Sequence, residues 1–251
     1  MILLRGLLWC IITIVPLVFL QRLLHREIQA SFLILSRSPE FTIALFSIIF
    51  LPGVVLHEFS HYLTALLLGV QAAHFSLIPQ MLPNGKLQLG YVETVKSDFF
   101  RDSLIGAAPL IVGGSVVGLL AVTRLELLPA WDALRTGQLG QLWNQVAQLP
   151  LTPDFPLWLY LVFTISSTML PSQSDRHAWL PLGVTTLVVL GLAVLAGAGP
   201  WMLEHAAPLL DQLLSGAAVV FGLSVLLHGL LVIPTGLIHL TLSKITGLDV
   251  Q

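Results

Sequence analysis

Apolar residues in this chain come in long blocks set apart by short polar punctuation, without the one-sided period of a surface helix. Crossing a bilayer takes about 20 apolar residues in a helix. Six blocks are of that order: roughly 2–24, 39–69, 103–123, 155–172, 178–199 and 209–242. The pattern predicts an all-α polytopic membrane protein of about six transmembrane helices. The second block has a legible start, with Ser38 as N-cap, Pro39 at the first helical position and Glu40 in the first turn. Gly69 is its stop signal, and Pro52-Gly53 and Pro234 are places for a kink.

Two stretches depart from the block pattern. Residues 71–98 alternate in polarity around Asn84-Gly85, a strong signal for a small β-hairpin after helix 2. Residues 124–154 scatter Leu and Trp among polar residues, as short amphipathic helices along an interface do.

Composition narrows the class further. Of 251 residues, 56% are hydrophobic and only 10% charged, which is unlike a soluble domain. Net charge is −2 with no basic block, so nucleic acid is excluded as a partner and the lipid bilayer is the expected surroundings. Cys10 is the single cysteine, which rules out an internal disulfide and any Cys-based zinc site. Arg5 precedes the first apolar run, but no small-residue cleavage site follows, so residues 1–38 read as a retained anchor helix and loop. Residues 39–177 then form the core of one membrane domain, and 178–251 add two accessory helices. Lys and Arg divide six against five between the two sides of a six-span arrangement, a narrow vote for both termini in the cytoplasm. The expected location is a prokaryotic plasma membrane, and the sequence carries no signal for oligomeric state.

Within the second block stands His57-Glu58-Phe59-Ser60-His61. On a helix, H-E-x-x-H stacks two imidazoles one turn apart on one face, where both can ligate Zn²⁺ with the glutamate beside them as general base. Ionisable side chains at membrane depth are costly, so three together point to function. The pattern is expected by chance fewer than about 0.01 times in a chain of this composition.

A catalytic zinc needs a third protein ligand and an open position. If six spans alternate, helix 2 runs towards the amino-terminal side, and His61 lies about 12 Å from its end at Gly69. Helix 4 ends on the same side, just before Asp175, which makes Asp175 the favoured third ligand. Glu204, His205 and Asp211 fall on the opposite side. His177, His228 and His239 remain open as ligands or as supporting partners.

The chain here resembles the site-2 protease family of intramembrane zinc metalloproteases. His57-Glu58-Phe59-Ser60-His61 matches that family's zinc helix. Thr168-Met169-Leu170-Pro171 followed by Asp175 resembles its N-x-x-P…D-G segment, and Gly106-Ala107-Ala108-Pro109 its small-residue stretch. Thr168 stands where the family has Asn, and Arg176 follows Asp175 where the family has Gly. The likeness spans roughly 39–177 and implies His57, His61 and Asp175 as ligands of a Zn²⁺ cofactor, with Glu58 catalytic. It further implies a membrane-embedded protein substrate cut in or near its transmembrane segment, with Thr168, Pro171, Asn84 and Gly85 on the substrate path. Two other readings have distinct signatures. A non-proteolytic membrane protein could keep the zinc for structure, sensing or transport, which a fourth protein ligand would mark. A CAAX-type peptidase takes its third ligand from a Glu on a later helix; beyond Glu126 only Glu204 is left for that.

Overall fold

The computed structural model describes residues 3–81 and 87–248, so the Asn84-Gly85 turn lies outside the described residues. Helix α1 (Leu3–Ser36) is followed after two residues by α2 (Pro39–Leu67). The start of α2 is the one its sequence announces: the Ser38 hydroxyl oxygen accepts the Phe41 N–H at 3.2 Å. Gly69, at φ +69°, turns the chain out of the helix in the left-handed conformation that glycine tolerates.

Four short strands come next: β1 (Ala72–Ser76), β2 (Gln80–Met81), β3 (Leu87–Gln88) and β4 (Tyr91–Thr94). They pair antiparallel in nested fashion, β1 with β4 and β2 with β3. Helix α3 (Phe99–Thr123) is capped by Asp98, whose carboxylate accepts the Phe100 and Arg101 N–H groups. Two short helices, α4 (Leu128–Arg135) and α5 (Leu139–Gln148), occupy the stretch read as amphipathic. After them come α6 (Phe155–Thr168) and α7 (Trp179–Ala193). The wide helical turn Val194–Ala198, the brief α8 (Gly199–Trp201) and a second wide turn, Met202–Ala206, lead into the long α9 (Ala207–Thr246).

Two packing units make the bundle. In the first, α6 lies parallel to α2: the Tyr160 hydroxyl donates to the Ile49 carbonyl, Thr164 backs onto Gly53, and Thr168 reaches His57. Helix α3 runs the other way, setting Gly113 against Met169 and Gly106 against Asp175. The glycines allow this approach; a Cβ on Gly53 would collide with the Thr164 carbonyl, and one on Gly106 with that of Asp175. In the second unit α1 and α9 lie side by side and parallel, with Gly6 at Asp211, Thr13 at Gly222, Leu20 at Gly229 and Glu27 at His239. Leu17, Val117, Val162, Met169 and Phe221 close the core where the two units meet.

The helical class holds, and four helical stretches are long and apolar enough to cross a membrane: Arg5–Ser36, Pro39–Leu67, Phe99–Thr123 and Trp179–Thr246. Their outward faces are apolar, with Leu187 72% and Leu195 85% exposed, as suits lipid rather than water. They mark the chain as an all-α membrane protein.

The expected count of six spans is met only in part. The 155–172 run yields a helix of only 14 residues, about 21 Å and short of a 30 Å hydrocarbon core. Thr164, Ser166 and Ser167, all buried, and the half-buried Thr168 make its end polar, and the chain then leaves the helix for Asp175. The 178–199 and 209–242 runs do not end at a loop. Glu204 and His205 are taken into helical turns, and two helices meet at a kink at Gly197, whose φ is +91°. The parallel course of α1 and α9 also corrects the expectation that both termini share a side. An even number of alternating spans would make the first and last helices antiparallel, whereas here the start of α1 and the end of α9 lie at opposite ends of the pair.

Replacing Gly53 with Val should force α2 and α6 apart and cost about 1–3 kcal/mol, as overpacking does. Thermal unfolding of the purified protein in detergent should show a lowered midpoint for Gly53→Val. Gly114→Ala, with nothing within 4 Å of the added methyl, should melt like wild type.

Candidate metal centre

The hydrogen-bond direction of two imidazoles defines the centre. His57 Nδ1–H donates to the Thr168 carbonyl at 2.6 Å, and His61 Nδ1–H donates to the Ile105 carbonyl at 2.8 Å. A carbonyl can only accept, so each ring carries its proton on Nδ1 and presents the lone pair of Nε2. Those two Nε2 atoms stand 3.2 Å apart. Asp175 completes the set, with Oδ1 3.3 Å from His61 Nε2 and Oδ2 3.7 Å from His57 Nε2. Lone pairs and a carboxylate thus converge on one point, an arrangement that repels itself unless a cation stands between them.

The spacing fits a metal. Ligand atoms about 2.0–2.2 Å from a tetrahedral zinc stand roughly 3.3–3.6 Å from one another. All three donor atoms here lie within 4.8 Å of one another, and His57, His61 and Asp175 form the group of this kind among the described residues. The side chains are largely sheltered, at 13%, 8% and 15% exposure.

Each ligand is placed by a different helix contact. Close packing of α2 on α6 at Gly53 carries His57 to the last turn of α6, where the Thr168 carbonyl has no partner within its own helix. The reverse course of α3 brings the Ile105 carbonyl to His61. Gly106 admits the backbone of the loop after α6, and with it Asp175. That loop is pinned by further bonds: Ser103 Oγ donates to the Ala178 carbonyl at 3.0 Å, and His177 Nε2 lies 3.5 Å from Asp102. Burial works to raise the Asp175 carboxyl. The Ser172 N–H, which donates to Oδ2 at 2.6 Å, works the other way and favours the carboxylate form.

Glu58 is buried on the same helix, its Cγ pressed towards Gly90, where an added Cβ would come within 2.9 Å. The β element is thereby seated against the glutamate.

The chain matches no protein-family model, no curated protein and no solved structure.

Of the residues singled out in the sequence, His57, His61 and Asp175 are brought together, with Glu58 on the same turn as His57. His177, His228 and His239 are drawn elsewhere: His177 to Asp102 and the Ser174 carbonyl, His228 to Ser167 and Ser224, and His239 to Glu27 at 2.6 Å. Asp211 accepts the Gly6 N–H, and His205 stacks on Trp201, so neither takes part. Thr168 spends its carbonyl on His57 and its hydroxyl on the Thr164 carbonyl, which makes it a support for the centre. Pro171 is half-buried in the segment leading to Asp175. Asn84 and Gly85 lie outside the described residues. The sequence reading missed the Ile105 carbonyl altogether, because backbone acceptors leave no residue-type signal.

Purified wild type should carry one equivalent of metal, His57→Ala none, and Asp175→Ala should bind at least about tenfold more weakly. Elemental analysis and chelator competition measure this, and undiminished affinity in Asp175→Ala would remove it from the ligand set.

Proposed function

We propose that this chain is a zinc-dependent intramembrane endopeptidase that hydrolyses a peptide bond in or near a transmembrane segment of a membrane protein. The observation that carries the reading is the convergence of His57, His61 and Asp175 beside a buried glutamate. Three N and O donors at tetrahedral spacing, with no fourth protein donor in the group among the described residues, suit a catalytic zinc better than a closed structural one. The resemblance of residues 39–177 to site-2 proteases supports the same reading.

Zn²⁺ held by these residues would supply the Lewis acidity that activates water near neutral pH and polarises the scissile carbonyl. The chain's own contribution begins at Glu58. Its carboxylate accepts the proton of the attacking water and returns it to the leaving amine. The Thr168 and Ile105 carbonyls keep both imidazoles in the tautomer that leaves Nε2 free.

A helical substrate hides its carbonyls in i to i−4 bonds and must unwind before it is cut. Strands β1 and β4 pair only with each other among the described residues, so each keeps an outer edge. A locally unwound segment can be added to that edge, which satisfies its freed backbone groups inside the bilayer. Gly90, next to β4, abuts Glu58, so a strand added there lies beside the general base.

The test uses proteoliposomes holding the full chain and a single-span reporter whose transmembrane segment carries helix-breaking residues. Glu58→Gln should keep its metal and lose at least about 100-fold in cleavage rate. Cleavage by Glu58→Gln at the wild-type rate overturns the mechanism. A wild type that binds metal yet cuts no such reporter favours a non-proteolytic metal site.

A further inference from the structure

The α1–α9 pair carries none of the three candidate ligands, yet it grips the end of α6. Gln21 of α1 donates from Nε2 to the Ser167 carbonyl. On α9, His228 donates from Nδ1 to the Ser224 carbonyl at 2.7 Å, which fixes its tautomer and leaves Nε2 as an acceptor. The Ser167 hydroxyl donates to that Nε2 at 2.9 Å. Ser167 and His228 are 1% and 0% exposed, so these bonds have no water to replace them.

The next residue, Thr168, supplies the carbonyl that orients His57. Carbonyls in the last turn of a helix lack intrahelical partners, and their direction follows whatever binds them from outside. Here α1 takes the carbonyl of Ser167 and α2 that of Thr168, while α9 takes the Ser167 hydroxyl. One peptide unit separates the α1–α9 grip from the ligand His57.

We infer that Gln21 and His228 are positioning residues for the metal centre, through which the α1–α9 pair sets the orientation of His57 by way of Ser167 and Thr168. Polar side chains on outlying helices are therefore part of how the metal is held. Freed of them, the last turn of α6 frays, the Thr168 carbonyl swings, and Nε2 of His57 leaves the point it shares with His61 and Asp175. This inference rests on the metal-binding reading of that trio.

The test is made on the full chain in detergent, with Co²⁺ as a spectroscopic probe and Zn²⁺ affinity from chelator competition. Gln21→Leu, Ser167→Ala and His228→Leu should each weaken Zn²⁺ about tenfold, the low end of what partners of metal ligands cost. Each should also shift the visible Co²⁺ absorption, which reports ligand geometry. His228→Gln, whose side-chain oxygen can accept from Ser167, should restore most of both. Ser167→Ala removes a single hydroxyl and keeps the test alive where a larger change unfolds the chain. Wild-type Zn²⁺ affinity and Co²⁺ spectra in folded Gln21→Leu and Ser167→Ala overturn this inference alone, leaving a packing role. A wild type that takes up no metal overturns the metal reading and this inference with it.

Discussion

Two backbone carbonyls, of Thr168 and Ile105, decide what the centre of this protein is. Because each accepts the Nδ1 proton of a histidine, both imidazoles must aim bare nitrogen at the same place, 3.2 Å apart and beside the Asp175 anion. Without those carbonyls His57 and His61 could satisfy each other by hydrogen bonding, as a donor and an acceptor. With them, the centre is an assembly of acceptors of a kind that could hold a metal ion, and the surrounding helices are packed so as to maintain it.

That requirement accounts for where glycine falls in the bundle. Carbonyl oxygens reach a ring on a neighbouring helix only if the backbones approach closely, and Gly53 and Gly106 sit at the points of closest approach. Gly113 does the same for α3 against Met169, while Gly114 meets nothing. A glycine that looks like a helix weakness along the chain is a contact point across it. Gly90 plays a related part outside the helices, letting the β element lie directly on Glu58.

Polar residues inside apolar helices follow the same logic. Thr164, Ser166, Ser167 and Thr168 shorten the apolar length of α6; three of their hydroxyls bond back within the helix, while Ser167 bonds to Gln21 and His228 and the Thr168 carbonyl to His57. Glu27 and His239 join α1 to α9 in the same way. In hydrocarbon an unpaired polar group costs several kcal/mol, so each such residue commits the chain to a specific partner. Helix pairs are thereby selected by polar matches, because apolar surface alone does not tell helix from lipid.

Much of this was legible along the chain. The H-E-x-x-H spacing, the start of α2 at Ser38, the stop at Gly69 and the strand-like stretch after it are local patterns, set by a helical period, a cap and turn chemistry. Asp175 could be singled out as well, since a second helix running in the direction of α2 ends on the same side, just before it. Other features depended on distant residues. Apolar runs report hydrophobicity but not length, so a 14-residue α6 looks along the chain like an ordinary span. The parallel course of α1 and α9 follows from Asp211 meeting Gly6 and His239 meeting Glu27, pairs more than 200 positions apart. The residue types that can bind a metal were therefore determined by the sequence itself. Whether His177, His228 or His239 would join His57 and His61 was decided only in three dimensions, where each is drawn to another partner.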